Sequence, residues 1–226
     1  SDSDDDGIED GPETTHCNYG ENDNECTSPN IDDSDGDTIN DGDEVSYGSD
    51  PMDTDTDDDG LSDGTEISNC DYGEYNNWCT SATNIDSDLD GINDNVEILN
   101  CIYGETGEEC TDPRDGDSDD DGVGDGVEIN THFSNPLITD TDEDGLDDGE
   151  EVYLGTNLTN PDTDDDNLSD YVETTNCIYG QNNTGLDCTS PNNDDTDGDG
   201  LSDWFEITLA STDPIESDSD GDRLSD

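Results

Sequence analysis

Basic residues are almost missing from this 226-residue chain: there is no lysine, and only Arg114 and Arg223 face 70 aspartates and glutamates. The resulting net charge of −68 excludes nucleic acid and anionic membrane as partners. Long apolar runs are missing too, and no stretch of this segment approaches the roughly 20 residues of a membrane span. With hydrophobic residues at 24% and aromatics at 5%, the chain cannot bury enough apolar surface to offset its conformational entropy. In pure water it is expected to be disordered, so something must neutralise it. Catalytic sets are absent as well. His16 and His132 stand apart, no Ser/His/Asp set or glycine-rich phosphate loop appears, and the many carboxylates are near-equivalent, whereas acid–base chemistry needs groups whose environments differ. The reading is not an enzyme. Trp78, Trp204 and Phe205 are read as packing between units rather than as a sugar-stacking surface.

What is present is a repeated loop. Asp195 to Glu206 reads D-T-D-G-D-G-L-S-D-W-F-E, with acids at loop positions 1, 3, 5, 9 and 12 and Gly200 at position 6. Carboxylates two apart in a tight loop converge on one point, and a longer Glu at position 12 reaches back to close a calcium cage. Complete copies also start at Asp2, Asp33, Asp55, Asp86, Asp117, Asp140 and Asp162, and a truncated one starts at Asp218. The candidate calcium ligands, loop by loop, are Asp2, Asp4, Asp6, Asp10 and Glu13; Asp33, Asp35, Asp37, Asp41 and Glu44; Asp55, Asp57, Asp59, Asp63 and Glu66; Asp86, Asp88, Asp90, Asp94 and Glu97; Asp117, Asp119, Asp121, Asp125 and Glu128; Asp140, Asp142, Asp144, Asp148 and Glu151; Asp162, Asp164, Asp166, Asp170 and Glu173; and Asp195, Asp197, Asp199, Asp203 and Glu206. Position 7 is always aliphatic, from Ile8 to Leu224, which a merely solvated acidic tract would not require. Thr38, Asn167 and Arg223 replace the position-6 glycine, where a β-branched residue is expected to be strained. The number of ions per unit, one or two, stays open; second sites could use Asp53, Asp115 or the position-4 residues Asp5, Asp58, Asp120 and Asp165.

Eight cysteines form four local pairs: Cys17 with Cys26, Cys70 with Cys79, Cys101 with Cys110, and Cys177 with Cys188. Each first Cys begins C-x-Y-G and each second precedes Thr. A two-Cys site without a nearby His lacks the ligands of a tetrahedral zinc, and catalytic thiols want basic neighbours, so local disulfides in an oxidising compartment are expected. The tyrosines of that frame, Tyr19, Tyr72, Tyr103 and Tyr179, would cover them.

Successive loops start 22–23 or 31–33 residues apart, and the long units are those holding a Cys pair. The hairpin is therefore an insertion into the short unit. Six residues before each loop stands Thr or Ser, and four before stands Pro in six of eight junctions, a turn signature. Between loop and turn there is room for about one helical turn, and a second aliphatic (Val45, Ile67, Ile98, Ile129, Val152, Ile207) is expected to pack on the neighbouring unit. The expected fold is irregular and low in secondary structure: a single continuous array over 1–226 of calcium-stapled repeats with one-turn helices and local disulfides.

D-T-D-G-D-G-L-S-D-W-F-E and D-E-D-G-L-D-D-G-E-E-V-Y-L-G-T-N resemble thrombospondin type 3 repeats of the bacterial variety, over essentially the whole chain. The resemblance implies calcium wrapped by an irregular backbone in secreted or cell-surface proteins. The C-x-Y-G hairpin departs from that pattern, and no long helices flank the loops as in an EF-hand sensor. The functional expectation is an extracellular structural stalk or fibre stiffened by calcium; the alternative is an acidic calcium store or mineral-nucleating surface. Further copies of the array, continued covalently or docked end to end, are the expected protein partner. Glycans are a further expectation at the acceptor motifs of Asn157, Asn167 and Asn182.

Overall fold

Each twelve-residue loop is folded by its own carboxylates. In the loop at Asp195, the position-1 carboxylate accepts the N–H of Gly200 at 2.9 Å and the position-5 Asp199 accepts that of Leu201 at 2.8 Å. The backbone then closes a ring, as the position-9 N–H donates to the carbonyl just before the loop: Asp41 to Asp32 at 3.0 Å, Asp148 to Thr139 at 2.8 Å, Asp203 to Asp194 at 3.0 Å. A computed structural model describes residues 1–15, 26–68, 79–100, 110–174 and 188–226 in this way.

A short helix starts at position 9 of every complete loop: α1 (Asp10–Thr15), α2 (Asp41–Tyr47), α3 (Asp63–Ser68), α4 (Asp94–Asn100), α5 (Asp125–Val127), α6 (Asp148–Leu154), α7 (Asp170–Thr174) and α8 (Asp203–Phe205). Position 8 caps α2 and α8, where the Asn40 side chain accepts the Asp43 N–H and Ser202 that of Phe205, whereas Gly124 and Asp147 precede α5 and α6 without a side-chain cap. Acids at positions 9 and 12 then fall in the first turn, where the helix dipole favours them. Helices α5 and α8 run into π-helical turns, Glu128–His132 and Glu206–Ala210. The exits are left-handed residues, such as Gly48 (φ 97°) and Gly155 (φ 79°). Among the described residues there is no strand, only an isolated bridge between Ser28 and Ile31. The low secondary structure and repeating irregular loops agree with the sequence reading.

Apolar burial comes from two places. The position-7 aliphatics Ile8, Ile39, Leu61, Ile92, Val123, Leu146 and Leu168 are buried. So is the position four before a loop: Pro51, Ala82, Pro113, Pro136, Leu158, Pro191 and Pro214. Ala82 and Leu158 fill the two junctions without proline, so the shared property is an apolar plug as much as a turn. The second aliphatic does not serve the expected role throughout, because Val45 and Val152 are exposed. Phe205 is exposed as well.

The chain divides into two compact units, Ser1–Ser118 and Asp119–Asp226. The division falls inside the fifth loop, while the sequence period runs on through it. Cys26, Cys79, Cys110 and Cys188 are described and none is a free thiol. Their expected partners Cys17, Cys70, Cys101 and Cys177 lie outside the described residues, as do His16, Trp78 and Asn182.

Candidate metal centres

Positions 1, 3 and 5 converge. One carboxylate oxygen from each of Asp2, Asp4 and Asp6 lies within 4.8 Å of the others, and the same holds for Asp33, Asp35 and Asp37, for Asp55, Asp57 and Asp59, and for Asp86, Asp88 and Asp90. In the later loops the same internal bonds recur, Asp140 accepting from Gly145 at 3.0 Å and Asp144 from Leu146 at 2.8 Å. In the fifth loop Asp117 closes the first compact unit, and Asp119, Asp121, Asp125 and Glu128 open the second.

The position-12 glutamate enters each cluster from the helix. Glu44 is fully buried and neither carboxylate oxygen has a hydrogen-bond partner. Burial, then Asp35, Asp37, Asp41 and Asp63, push its carboxyl up to about 9. Burial, then Asp142, raise Glu151 to about 8, and the same causes raise Glu206 to about 7, with Asp197 and Asp199 as its neighbours. Position 3 shares the strain: Asp35 is raised to about 7, by burial first and then Asp37 and Asp33. The buried Oδ2 atoms of Asp35, Asp57, Asp142, Asp164 and Asp197 have no hydrogen-bond partner either. Buried carboxylates crowded together without a base are costly, and native structures pair such groups with counter-charge. A divalent cation with all-oxygen ligands fits this donor set.

Two hydroxyls that sequence reading left out of the site build it. At position 2, Ser34, Thr56, Ser87, Thr141, Thr163 and Thr196 each bond the position-9 carboxylate twice: Thr141 N–H donates to Asp148 Oδ1 at 2.8 Å and its hydroxyl to Oδ2 at 2.8 Å. That hydroxyl also accepts from the preceding turn, Asn135 N–H at 3.0 Å for Thr141. The buried position-9 aspartates thus clamp the loop. The second hydroxyl is the Ser or Thr six residues before the next loop, read from sequence as turn chemistry. Thr80, Ser134, Thr156 and Thr212 donate to Oε1 of Glu66, Glu128, Glu151 and Glu206 at 2.9–3.1 Å, fixing one oxygen of the glutamate. Both were legible as signals, because each phase is always Ser or Thr.

The candidate second-site residues Asp5, Asp58, Asp120 and Asp165 are exposed on left-handed backbone, φ 61–64°. Asp53 and Asp115 are exposed too. Asn157 is exposed and its Oδ1 accepts from the Thr159 hydroxyl at 3.1 Å, whereas Asn167 donates its side-chain amide to the Asp166 carbonyl at 2.6 Å.

Fold and clusters together define a tandem-repeat protein built around acidic cages that could hold metal ions. The family model of the bacterial TSP3 repeat matches residues 33–54, 55–69, 140–161 and 195–216. The chain carries bacterial TSP3 repeats at those four places, and TSP3 repeats are calcium-binding. Two solved chains are similar over short stretches. One, "Biofilm associated protein - B domain", is 38% identical over 20% of this chain and 11% of that chain, with a TM-score of 0.19. The other, "Biofilm associated protein - BSP domain", is 41% identical over 19% of this chain and 7% of that chain, with a TM-score of 0.18. No curated protein matches the chain. Among the described residues no helix is long and apolar enough to cross a membrane.

Proposed function

We propose that calcium, held by the carboxylates at positions 1, 3, 5, 9 and 12, folds this chain into an extracellular structural stalk or fibre. The observation that carries the reading is Glu44: fully buried, both oxygens without a hydrogen-bond partner, among four other carboxylates, in a chain with two basic residues. A bound cation balances such a group in its ionised form. Binding to the native state alone then stabilises it by mass action. Eight divalent ions bring −68 only to −52, so the loaded chain stays strongly anionic, as a secreted or surface-displayed polymer tolerates.

The fixed turns, clamping hydroxyls and near-equivalent cages favour a structural role over catalysis. In this reading the four cysteine pairs close locally and staple the long units, glycans occupy Asn157 or Asn182, and further copies of the array extend the structure. Calorimetric titration of the metal-stripped chain, with circular dichroism in parallel, tests the reading. Saturable calcium uptake with dissociation constants of roughly 10⁻⁴–10⁻³ M and a gain of ordered structure are expected. An unchanged spectrum and compactness in excess chelator would refute it. Non-reducing peptide mapping should find each bridge within its own hairpin and no free thiol.

A further inference from the structure

Position 10 is not a candidate ligand, yet the junctions between units turn on it. Its backbone N–H donates to Oδ2 of the position-5 aspartate in the preceding loop: Gly64 to Asp37, Asn95 to Asp59 at 3.2 Å, Tyr171 to Asp144 at 2.8 Å and Trp204 to Asp166 at 2.8 Å. Oδ1 of the same aspartate stays within its own loop, on the position-7 N–H. The bond forms equally across the short junctions, 27 residues apart, and the long ones, 36 and 38 apart. The approach is close. A Cβ on Gly42, Gly64 or Gly149 would overlap the position-5 carbonyl of the preceding loop, at Asp6, Asp37 or Asp121. Where position 10 is Asn95, its side-chain amide donates to that carbonyl of Asp59. The next unit also delivers a charge: Asp63 acts on Asp35 and Glu44, and Asp203 acts on Glu173.

Resting on the calcium reading above, we infer that each cage is completed by the unit that follows it, with position 10 as the positioning residue. Orientation of the position-5 carboxylate depends on the next helix. Loading therefore has a polarity: a loop reaches its full affinity only when the loop after it is folded. The unpartnered Glu44, which lies among groups from both loops, marks the cage on which this closure acts.

The test is a calcium titration of the metal-stripped full chain, followed loop by loop through the amide NMR signals of Ile39, Leu61, Ile92 and Leu146. Gly64→Ala puts a better helix former into α3 but displaces that helix from Asp37. It should weaken loop 33–44 by about tenfold, the scale of a lost hydrogen bond to a charged group, and leave loop 55–66 within about twofold. Asn95→Ala, which adds no bulk but removes the side-chain bond that holds position 10 on the Asp59 carbonyl, should weaken loop 55–66 and spare loop 86–97. A Leu146 signal that matches the unsubstituted chain's at every calcium concentration confirms that the variant still folds. If either variant weakens its own loop as much as the preceding one, or neither loop changes, the polarity is refuted while calcium binding stands. If the unsubstituted chain shows no calcium response at any loop, both readings fall.

Discussion

At the scale of the residue, the loops impose more backbone strain than a calcium loop with one glycine implies. Position 6 is left-handed as expected, including Thr38 at φ 93° and Asn167 at φ 81°. Position 4 is left-handed too, although it holds Asp5, Asp58, Leu89, Asp120, Glu143 and Asp165 at φ 61–68°. Such conformations cost on the order of 1–3 kcal/mol each and persist only where the surroundings impose them. Here the position-1 and position-5 carboxylates hold the turn from both sides. Thr38→Gly should therefore raise the stability of the calcium-loaded chain by about 1 kcal/mol, read as a higher Tm, since strain relief outweighs the added chain entropy. Thr156→Val tests the opposite sign. It keeps the shape but removes the 3.1 Å bond to Glu151 Oε1, and should lower stability by about 1 kcal/mol while loosening calcium at loop 140–151.

At the scale of the element, helices of three to seven residues are far below the length that is stable alone in water. They stand because position 12 is anchored in the cage and position 10 on the preceding loop. Removing metal should therefore dissolve helix and loop together, seen as loss of helical circular dichroism on stripping and recovery on adding calcium. The cysteine-containing insertions bear on the same point. Since Asp59 meets Asn95 as Asp37 meets Gly64, the register between loops does not depend on the unit's length. Replacing residues 69–79 by Tyr-Gly, which reproduces the short unit's spacing, should leave the calcium affinity of loop 55–66 within about threefold, as the NMR titration would read it, because Thr80 and Asn95, which bond Glu66 and Asp59, are both kept.

At the scale of the whole molecule, charge sets the pH response. The folded, metal-free carboxyls of Glu44 and Glu97 are raised to about 9, and those of Glu128 and Glu151 to about 8, by burial first. The folded state then binds more protons than the unfolded chain between about pH 4.5 and 9. Its metal-free stability is greatest at the acid end and falls as pH rises through that window. Calcium reverses the sign, because protons compete with it for the same oxygens. Melts of the metal-stripped chain should show more structure at pH 5 than at pH 8, and melts in millimolar calcium the reverse. Proton release on binding, measured by calorimetry in buffers of different ionisation enthalpy, should shrink as pH approaches 9.

The sequence by itself determined the loops, their number and phase, the convergence of positions 1, 3 and 5, the glutamate at position 12 and the helical turn that carries it. These follow from local chemistry: spacing of two in a tight turn, and capping residues beside acids. The buried aliphatic at position 7 was equally legible, since nothing else fixes an apolar residue at one phase of an acidic chain. What only the tertiary structure decided is how one unit meets the next. The hydroxyl that orients Glu66 comes from Thr80, beyond the cysteine insertion. The position-10 amide reaches a carboxylate 27 to 38 residues upstream. Neither contact has a fixed sequence separation, because an insertion of variable length can lie between the partners. Position 10 varies from glycine to tryptophan because its backbone N–H, which every residue but proline supplies, makes the contact.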